Sequence, residues 1–392
     1  MPIDLNSIPD KQAAPEHPKI LRWTLVIILF TCVGAMFSLY LWPGGMATHS
    51  AWFWFCTLVI PFTTGFACYG IRLRIYENSR DSIAYWNNLH QEQYDRLVNT
   101  GQRFAGLVGK AYITPIACNK LASALVKFGS QLQAHYFVDL QRVQTVACLD
   151  KPSNTSYKSR LSGYLSQLLR MLEPDLLMIP GGDFSVRIHH DGALDNKVIE
   201  DIWQGMFPDK YHTNSLIVET ECDGLIWLDP WLDHGEAWVT LSVEINLFSM
   251  PLDYQAESVS ALLLASPEWL AQYDIKPEVA IHRPVVSTED ISTTRDMLLW
   301  GGVSAKEPYG IWRVQVNQNT LSRVIKQVES MGYSPGKREE YSLDDLFGNP
   351  GAATGNISLI CASEHAVTSA MPQWIMAENK TMHQLIVRKV DY

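Results

Sequence analysis

Residues 215–246 read SLIVETECDGLIWLDPWLDHGEAWVTLSVEIN. The stretch opens on alternating β-branched and apolar residues, as in a half-buried strand. Gly224 interrupts it. WLDPWLDHGE then places Asp229 and Asp233 at helical spacing, with Pro230 tolerated only in a first turn. EAWVTLSVEINLF (236–248) is the strongest strand in the chain, and AESVSALLLAS (256–266) follows it. Working outward, AYITPIAC (111–118) reads as a strand and NKLASALVKFGSQLQ (119–133) as a helix. HYFVDLQRV is extended, and SRLSGYLSQLLRMLEP (159–174) is an amphipathic helix that Pro174 is expected to end. DLLMIP (175–180) reads as a short buried strand, FSVRIHHD as extended, DNKVIEDIWQGMF as a helix and NSLIVETEC as a strand. Alternating strands and helices predict an α/β fold with helices packed on a sheet.

The N-terminal quarter follows a different rule. Residues 23–42, WTLVIILFTCVGAMFSLYLW, and 51–71, AWFWFCTLVIPFTTGFACYGI, contain no charged residue. Roughly 20 apolar residues are enough to span a bilayer as a helix. PGGMATHS between them is a turn, so the pair reads as a transmembrane helical hairpin. Lys19 and Arg22 precede it, and Arg72, Arg74 and Arg80 follow, whereas the turn has no Lys or Arg. The positive-inside rule then places both termini in the cytoplasm. Trp23, Trp42, Trp52 and Trp54 lie where the membrane interfaces would be. Pro61 should kink the second span, and a partner helix can offset the carbonyl this frees. The expected organisation is a flexible tail (1–18), a two-helix transmembrane hairpin (19–74), a connector helix (75–109) and a cytoplasmic α/β domain (110–392). A cleaved signal peptide is the competing reading of the first span.

Composition agrees. Charged residues make up 18% of the 392, below the roughly 25% of an average soluble domain, and the two spans account for much of the deficit. A formal net charge of -10 argues against a nucleic-acid partner, which needs a basic surface. Seven cysteines form no CxxC or Cys/His cluster, so neither a metal nor a cofactor is expected. His189 and His190, adjacent on a strand, point to opposite faces and do not readily share an ion; Asp191-Gly192 reads as a turn. Asp229 and Asp233 read as a solvated helix end before Gly235, a carboxylate pair being the alternative. Gly348-Asn349-Pro350-Gly351-Ala352-Ala353 reads as a turn and cap, with anion binding at the following helix as the alternative.

Several motifs in 212–392 share an order with a known superfamily. Thr220, Cys222 and Gly224 fit T-x-C-x-[SG] after a strand. MPLDYQAESVSALLLAS resembles a P-F-D segment and its strand, FGNPGAATGNISLICASEHA resembles the G-H-x-x-G-A-A-G turn before a late helix, and HQLIVRK resembles a closing strand. Together they resemble the thiolase and ketoacyl synthase superfamily. That resemblance implies a thiolate nucleophile at Cys222, assisted by two side chains that are often both histidine. The histidine position of the turn holds Asn349, and no H-G-T-G-T stretch occurs between 267 and 345. Asn349 donates a hydrogen bond but takes up no proton near neutral pH. The resemblance therefore implies a thiolase-like cytoplasmic domain without condensing activity, in which Cys222 with Asn349 is the remaining catalytic candidate and an ordinary buried cysteine is the alternative.

The overall plan, a hairpin tether with a cytoplasmic thiolase-like body, resembles the type VI secretion lipase adaptor family of bacterial inner-membrane accessory proteins. It implies a non-catalytic adaptor that recruits or loads a toxic lipase effector onto the secretion spike. Expected partners are the lipid bilayer and that effector or a spike component, with a homodimer left open. A membrane-anchored acyl-transferring or condensing enzyme using Cys222 is one alternative; an effector-binding immunity or sensor protein is the other.

Overall fold

The computed structural model describes all residues except 1–2, 4, 44–46, 131, 138–139, 151–154, 181–182, 222–223, 251, 289–290, 334–337, 379–380 and 391–392. The chain divides into two compact units, Pro2–Leu97 and Val98–Tyr392.

In the first unit, helix α1 (Ile20–Leu41) is followed by α2 (Ala51–Trp54), a π-helical turn (Phe55–Val59) and α3 (Ile60–Gly101). The last three run as one helix, Ala51–Gly101, and both it and α1 are long and apolar enough to cross a membrane. Arg22 and Trp23 lie in the first turns of α1, and Arg72 and Arg74 lie inside α3. Trp23 packs on Tyr69 and Trp42 on Phe53, while Trp52 and Trp54 are exposed.

Pro61 has no N–H and would clash with the preceding turn of a regular helix. The chain widens there: the Ile60 N–H donates to Phe55 O, five residues back. That leaves Cys56 O without its usual helical donor, and the Ser38 hydroxyl of α1 donates to it at 3.1 Å. A side chain at Gly34 would place its Cβ 2.3 Å from Pro61 Cγ, so this residue must be small for the helices to cross. The proline-bearing segment before α1 is hydrogen-bonded along α3. Asn87 exchanges two bonds with the Gln12 backbone, each 2.9 Å, and Lys11 Nζ donates to Gln91 at 2.6 Å.

The second unit is built on a duplicated sheet. Its first half contributes β1 (Phe104–Ile113), β4 (Asp183–His190), β5 (His212–Glu219), β6 (Val239–Asn246) and β7 (Ser258–Ala265). Its second half contributes β8 (Val279–His282), β10 (Tyr309–Val314), β11 (Arg338–Ser342), β12 (Gln373–Glu378) and β13 (Met382–Lys389). The path β11-β10-β12-β13-β8-β1-β7-β6-β4-β5 repeats one order, third-second-fourth-fifth-first, in each half. In both, the fifth strand is antiparallel to its neighbours and the middle three are parallel. Antiparallel pairing of β1 with β8 joins the halves. β6 and β7 are buried at every residue. A short hairpin, β2 (Gln133–Phe137) and β3 (Arg142–Val146), lies outside this sheet, and β9 (Val285–Val286) pairs with β13.

The helices are α4 (Leu121–Phe128), α5 (Tyr157–Leu177), α6 (Asn196–Gln204), α7 (Leu228–Asp233), α8 (Pro267–Tyr273), α9 (Ile291–Trp300), α10 (Gln318–Ser330), α11 (Leu343–Leu346) and α12 (Thr354–Ser369). Several start where a side-chain oxygen accepts a first-turn N–H: Ser156 for α5, Ser266 for α8 and Asn317 for α10. α12 is buried on most of its surface, and its Glu364 accepts from Tyr112 Oη (2.5 Å) and from Ala122 N (2.9 Å) at the start of α4.

Four expectations need correction. The connector helix does not reach residue 109: it ends at Gly101, and β1 begins at Phe104 because FAGLVGKAYI supplies a strand with buried faces. Pro174 does not end α5, which continues to Leu177. Leu172 and Leu176 are fully buried on one face, and that packing offsets the lost hydrogen bond. Residues 175–180 are therefore no buried strand, and Leu177 and Met178 are exposed. Asp229 and Asp233 do not form a solvated helix end. Arg283, after β8, donates to Asp229 at 2.5 Å and to Asp233 at 2.6 Å, and Asp229 is buried.

Burial and the nearby Arg388 push His282 of β8 down to about 4, with a hydrogen bond at the Trp300 backbone opposing. A depressed histidine stabilises the fold above its unfolded pKa of roughly 6.5, and that stability is lost as the pH falls towards the folded value. Urea unfolding of the full chain in detergent should lose up to about 3 kcal/mol from this residue between pH 6.5 and 4. In His282→Gln that share of the pH dependence should vanish.

Candidate functional site

Parallel strands release ligands and chemistry at their carboxyl ends, where the following loops diverge. At the carboxyl ends of β4, β5 and β6 lies a cavity of about 590 Å³. His189, His190, Asp191, Thr220, Asn246 and Gly351 are among its lining residues. The turn before α12 closes one side. Gly348 (φ 101°) and Gly351 (φ 54°) hold left-handed backbone there, and a Cβ at Gly351 would lie 2.6 Å from Asn246 Oδ1.

A helix amino end carries unpaired N–H groups and partial positive charge. Before α12 these groups are taken by the chain itself. Asn349 Oδ1 accepts from Gly351 N at 2.9 Å, and Asn246 Oδ1 accepts from Ala352 N at 3.4 Å. Ala353 N donates to Pro350 O, and Asn356 N donates to Glu244 Oε2 at 2.7 Å. Glu244 is fully buried on β6. Arg187 of β4 stands 3.3 Å from it, donates to Glu219 at 2.8 Å and covers the Trp227 ring at 4.6 Å. The carboxylate of Glu244 thus occupies the place an external anion would take, and the turn-and-cap reading of 348–353 describes it.

The two histidines diverge, as their adjacency on a strand requires. His189 puts Nδ1 2.6 Å from Ala352 O and Nε2 3.2 Å from Thr220 O. His190 accepts from Gly192 N and faces Asn196 Oδ1 at 2.8 Å. Asp191 is a tie between elements: it accepts from Ala193 N, Leu247 N and Tyr157 Oη. Burial raises its carboxyl above the usual range, partly offset by those donors.

Cys222 lies outside the described residues. Its described neighbours Thr220 and Glu221 line the cavity. Gly224, at φ 62°, abuts His383 of β13, whose Nδ1 would be 2.8 Å from an added Cβ. His383 is buried, with Nε2 2.6 Å from Thr381 Oγ1. His189, Glu244 and His383 come together with Gly224 and Gly351 around a space of about 20 Å³, room for no more than one water. His383 was not singled out in the sequence, because within HQLIVRK it reads as one more strand residue. Asn349 keeps its side-chain oxygen on Gly351 N and Gln315 Nε2 (2.8 Å). Among the described residues no group of three or more His, Cys, Asp or Glu could hold a metal ion.

No family model matches the chain, and no curated protein does. Solved structures do. The ishigamide ketosynthase/chain length factor superposes with a TM-score of 0.51 at 15% identity, over 74% of this chain and all of that one. A β-ketoacyl synthase from Burkholderia phymatum STM815 gives 0.50 at 12%, over 74% and 100%. The ketosynthase of module 1 of the bacillaene synthase from Bacillus amyloliquefaciens FZB42 gives 0.52 at 10%, over 75% and 77%. The fold is thiolase/ketosynthase-like. The duplicated sheet carries that likeness through the whole second unit, beyond the 212–392 stretch where motifs are legible.

The closure before α12 can be tested by adding one carbon. Gly351→Ala combines left-handed strain with a clash against Asn246 and should cost about 2–3 kcal/mol. Gly332→Ala, at φ 87° with nothing within 4 Å of its Cβ, should cost only the strain, about 1 kcal/mol. Urea midpoints of the two variants check the difference.

Proposed function

We propose that this chain is a membrane-anchored, non-catalytic accessory protein whose thiolase-like unit works by binding a protein partner. One observation carries the reading: the amino end of α12 is capped by Glu244, Asn246 and Asn349 of the same chain. A condensing reaction needs groups free to stabilise developing charge beside its thiolate. The hairpin supports the anchor. Two apolar helices, basic residues at Lys19, Arg22, Arg72, Arg74 and Arg80, and an uncharged turn suit an inner-membrane tether with both termini in the cytoplasm.

For the partner, the plan of tether plus degenerate thiolase-like body favours a toxic lipase effector bound for type VI secretion. Affinity capture of the detergent-solubilised chain, from cells with an intact secretion system, should return that effector or a spike component. Capture of neither overturns the adaptor assignment. An immunity role predicts instead that the chain alone protects a cell making the effector.

A condensing or acyl-transferring enzyme is the second reading. What favours it is the presence of two buried histidines, His189 and His383, beside Gly224, two positions from Cys222. Under that reading a thiol-reactive acyl probe labels the full chain and Cys222→Ala abolishes the label. The accessory reading predicts no Cys222-dependent labelling.

A further inference from the structure

A second cavity opens at the other end of the same strands. It has a volume of about 450 Å³ and touches Ser185 near the start of β4, Asn214 near the start of β5 and Val239 at the start of β6. Four of its lining residues are aromatic. Trp231 comes from α7 and Trp238 from just before β6, their ring centroids 5.5 Å apart and their planes 64° apart. Trp269 and Tyr273 come from α8, 4.9 Å apart. His234 and Glu236 complete this side, and no Lys or Arg is among its described lining residues.

The cavity exists because the first half of the fold departs from the second. Between the third and fourth strands of the second half, α12 runs for 16 residues, about 24 Å at helical rise. The corresponding helix in the first half, α7, has only 6, about 9 Å. Its chain returns to β6 as the non-helical stretch 234–238. Where a helix would have covered the sheet, this stretch adds Trp238 to a hollow that Trp231 of α7 and two aromatic residues of α8 also line.

Aromatic faces carry negative quadrupole charge, and cations placed over them are attracted, more so beside a carboxylate. Glu236 is exposed, and among the described residues no cation is paired with its carboxylate. His234 Nδ1 lies 2.7 Å from Pro230 O, which assigns the proton of the neutral ring to Nδ1 and leaves Nε2 an acceptor. Arg103 is the nearby cation. It approaches Gly235, but its guanidinium is engaged with Leu232 O, Asp233 O and, at 3.9 Å, Glu268. We propose that this cavity, lined by Trp231, Trp238, Trp269 and Tyr273 with Glu236, is a binding site for an organic cation, an alkylammonium or guanidinium group. The site is separate from the β4–β6 carboxyl-end cavity and does not depend on the accessory reading.

Saturation-transfer NMR on the full chain in maltoside micelles tests it with three probes: choline, N-acetyl-arginine amide and 3,3-dimethylbutanol, the uncharged shape-match of choline. At least one cation should bind saturably, about tenfold more tightly than the alcohol. Choline binding alone assigns a quaternary ammonium ligand, arginine amide alone a basic side chain, and both a general cation site. Glu236→Gln and Tyr273→Leu, both at the surface, should each weaken binding about fivefold without moving the melting temperature. Equal binding of the alcohol, no saturable binding of either cation, or variants that bind like the parent overturns the proposal.

Discussion

The carboxylate of Glu244 sits fully buried against the amino end of α12, accepting the Asn356 N–H and facing Arg187. Much of the second unit depends on that placement. It joins β6 to the central helix of the other half, and through Arg187 it draws in β4, Glu219 of β5 and the Trp227 ring. A buried charge is tolerated only with partners that satisfy it, and here an arginine and a helix end both do. The same contact places a carboxylate of the chain itself at that helix end.

The duplicated sheet explains why one scaffold carries two unlike ends. Both halves repeat one strand order, but the helix after the third strand is long and buried in the second half and only 6 residues in the first. At the carboxyl ends of β4, β5 and β6, polar groups from both halves meet beside a cavity. At their amino ends, the shortened α7 leaves an aromatic hollow. Two further buried ionic ties hold the surroundings in register. Arg160 meets Glu257, whose oxygens also accept from Leu149 N and Phe248 N, and Arg283 meets Asp229 and Asp233.

How much of this was legible in the sequence follows from the range of the interactions. Local pattern reveals β6, the two apolar helices and the α/β alternation, because each rests on neighbouring residues. The role of Pro61 was also legible: the freed carbonyl is met from the partner helix, by Ser38. What escaped was set at long range. Asp229 and Asp233 look like a solvated helix end until Arg283, some fifty residues on, is brought beside them. Pro174 looks like a helix stop until the burial of Leu172 and Leu176 outweighs it. The repeated strand order is set by long-range pairing and so is not read from local pattern. His383 joins His189 and Glu244 only through the pairing of β13 with the sheet.

Replacing Glu244 tests the central claim most directly, because a structural plug and a retained reactive group respond in opposite directions. If Glu244 holds the two halves together, Glu244→Ala removes the buried one of the two carboxylates that face Arg187 and leaves the Asn356 N–H without its acceptor. The urea midpoint of the full chain in detergent should then fall by an amount equivalent to about 3–5 kcal/mol. Catalytic groups are often held at a cost to stability, so their removal commonly leaves the fold as stable or more so. A Glu244→Ala chain with an unchanged or raised midpoint would contradict the account.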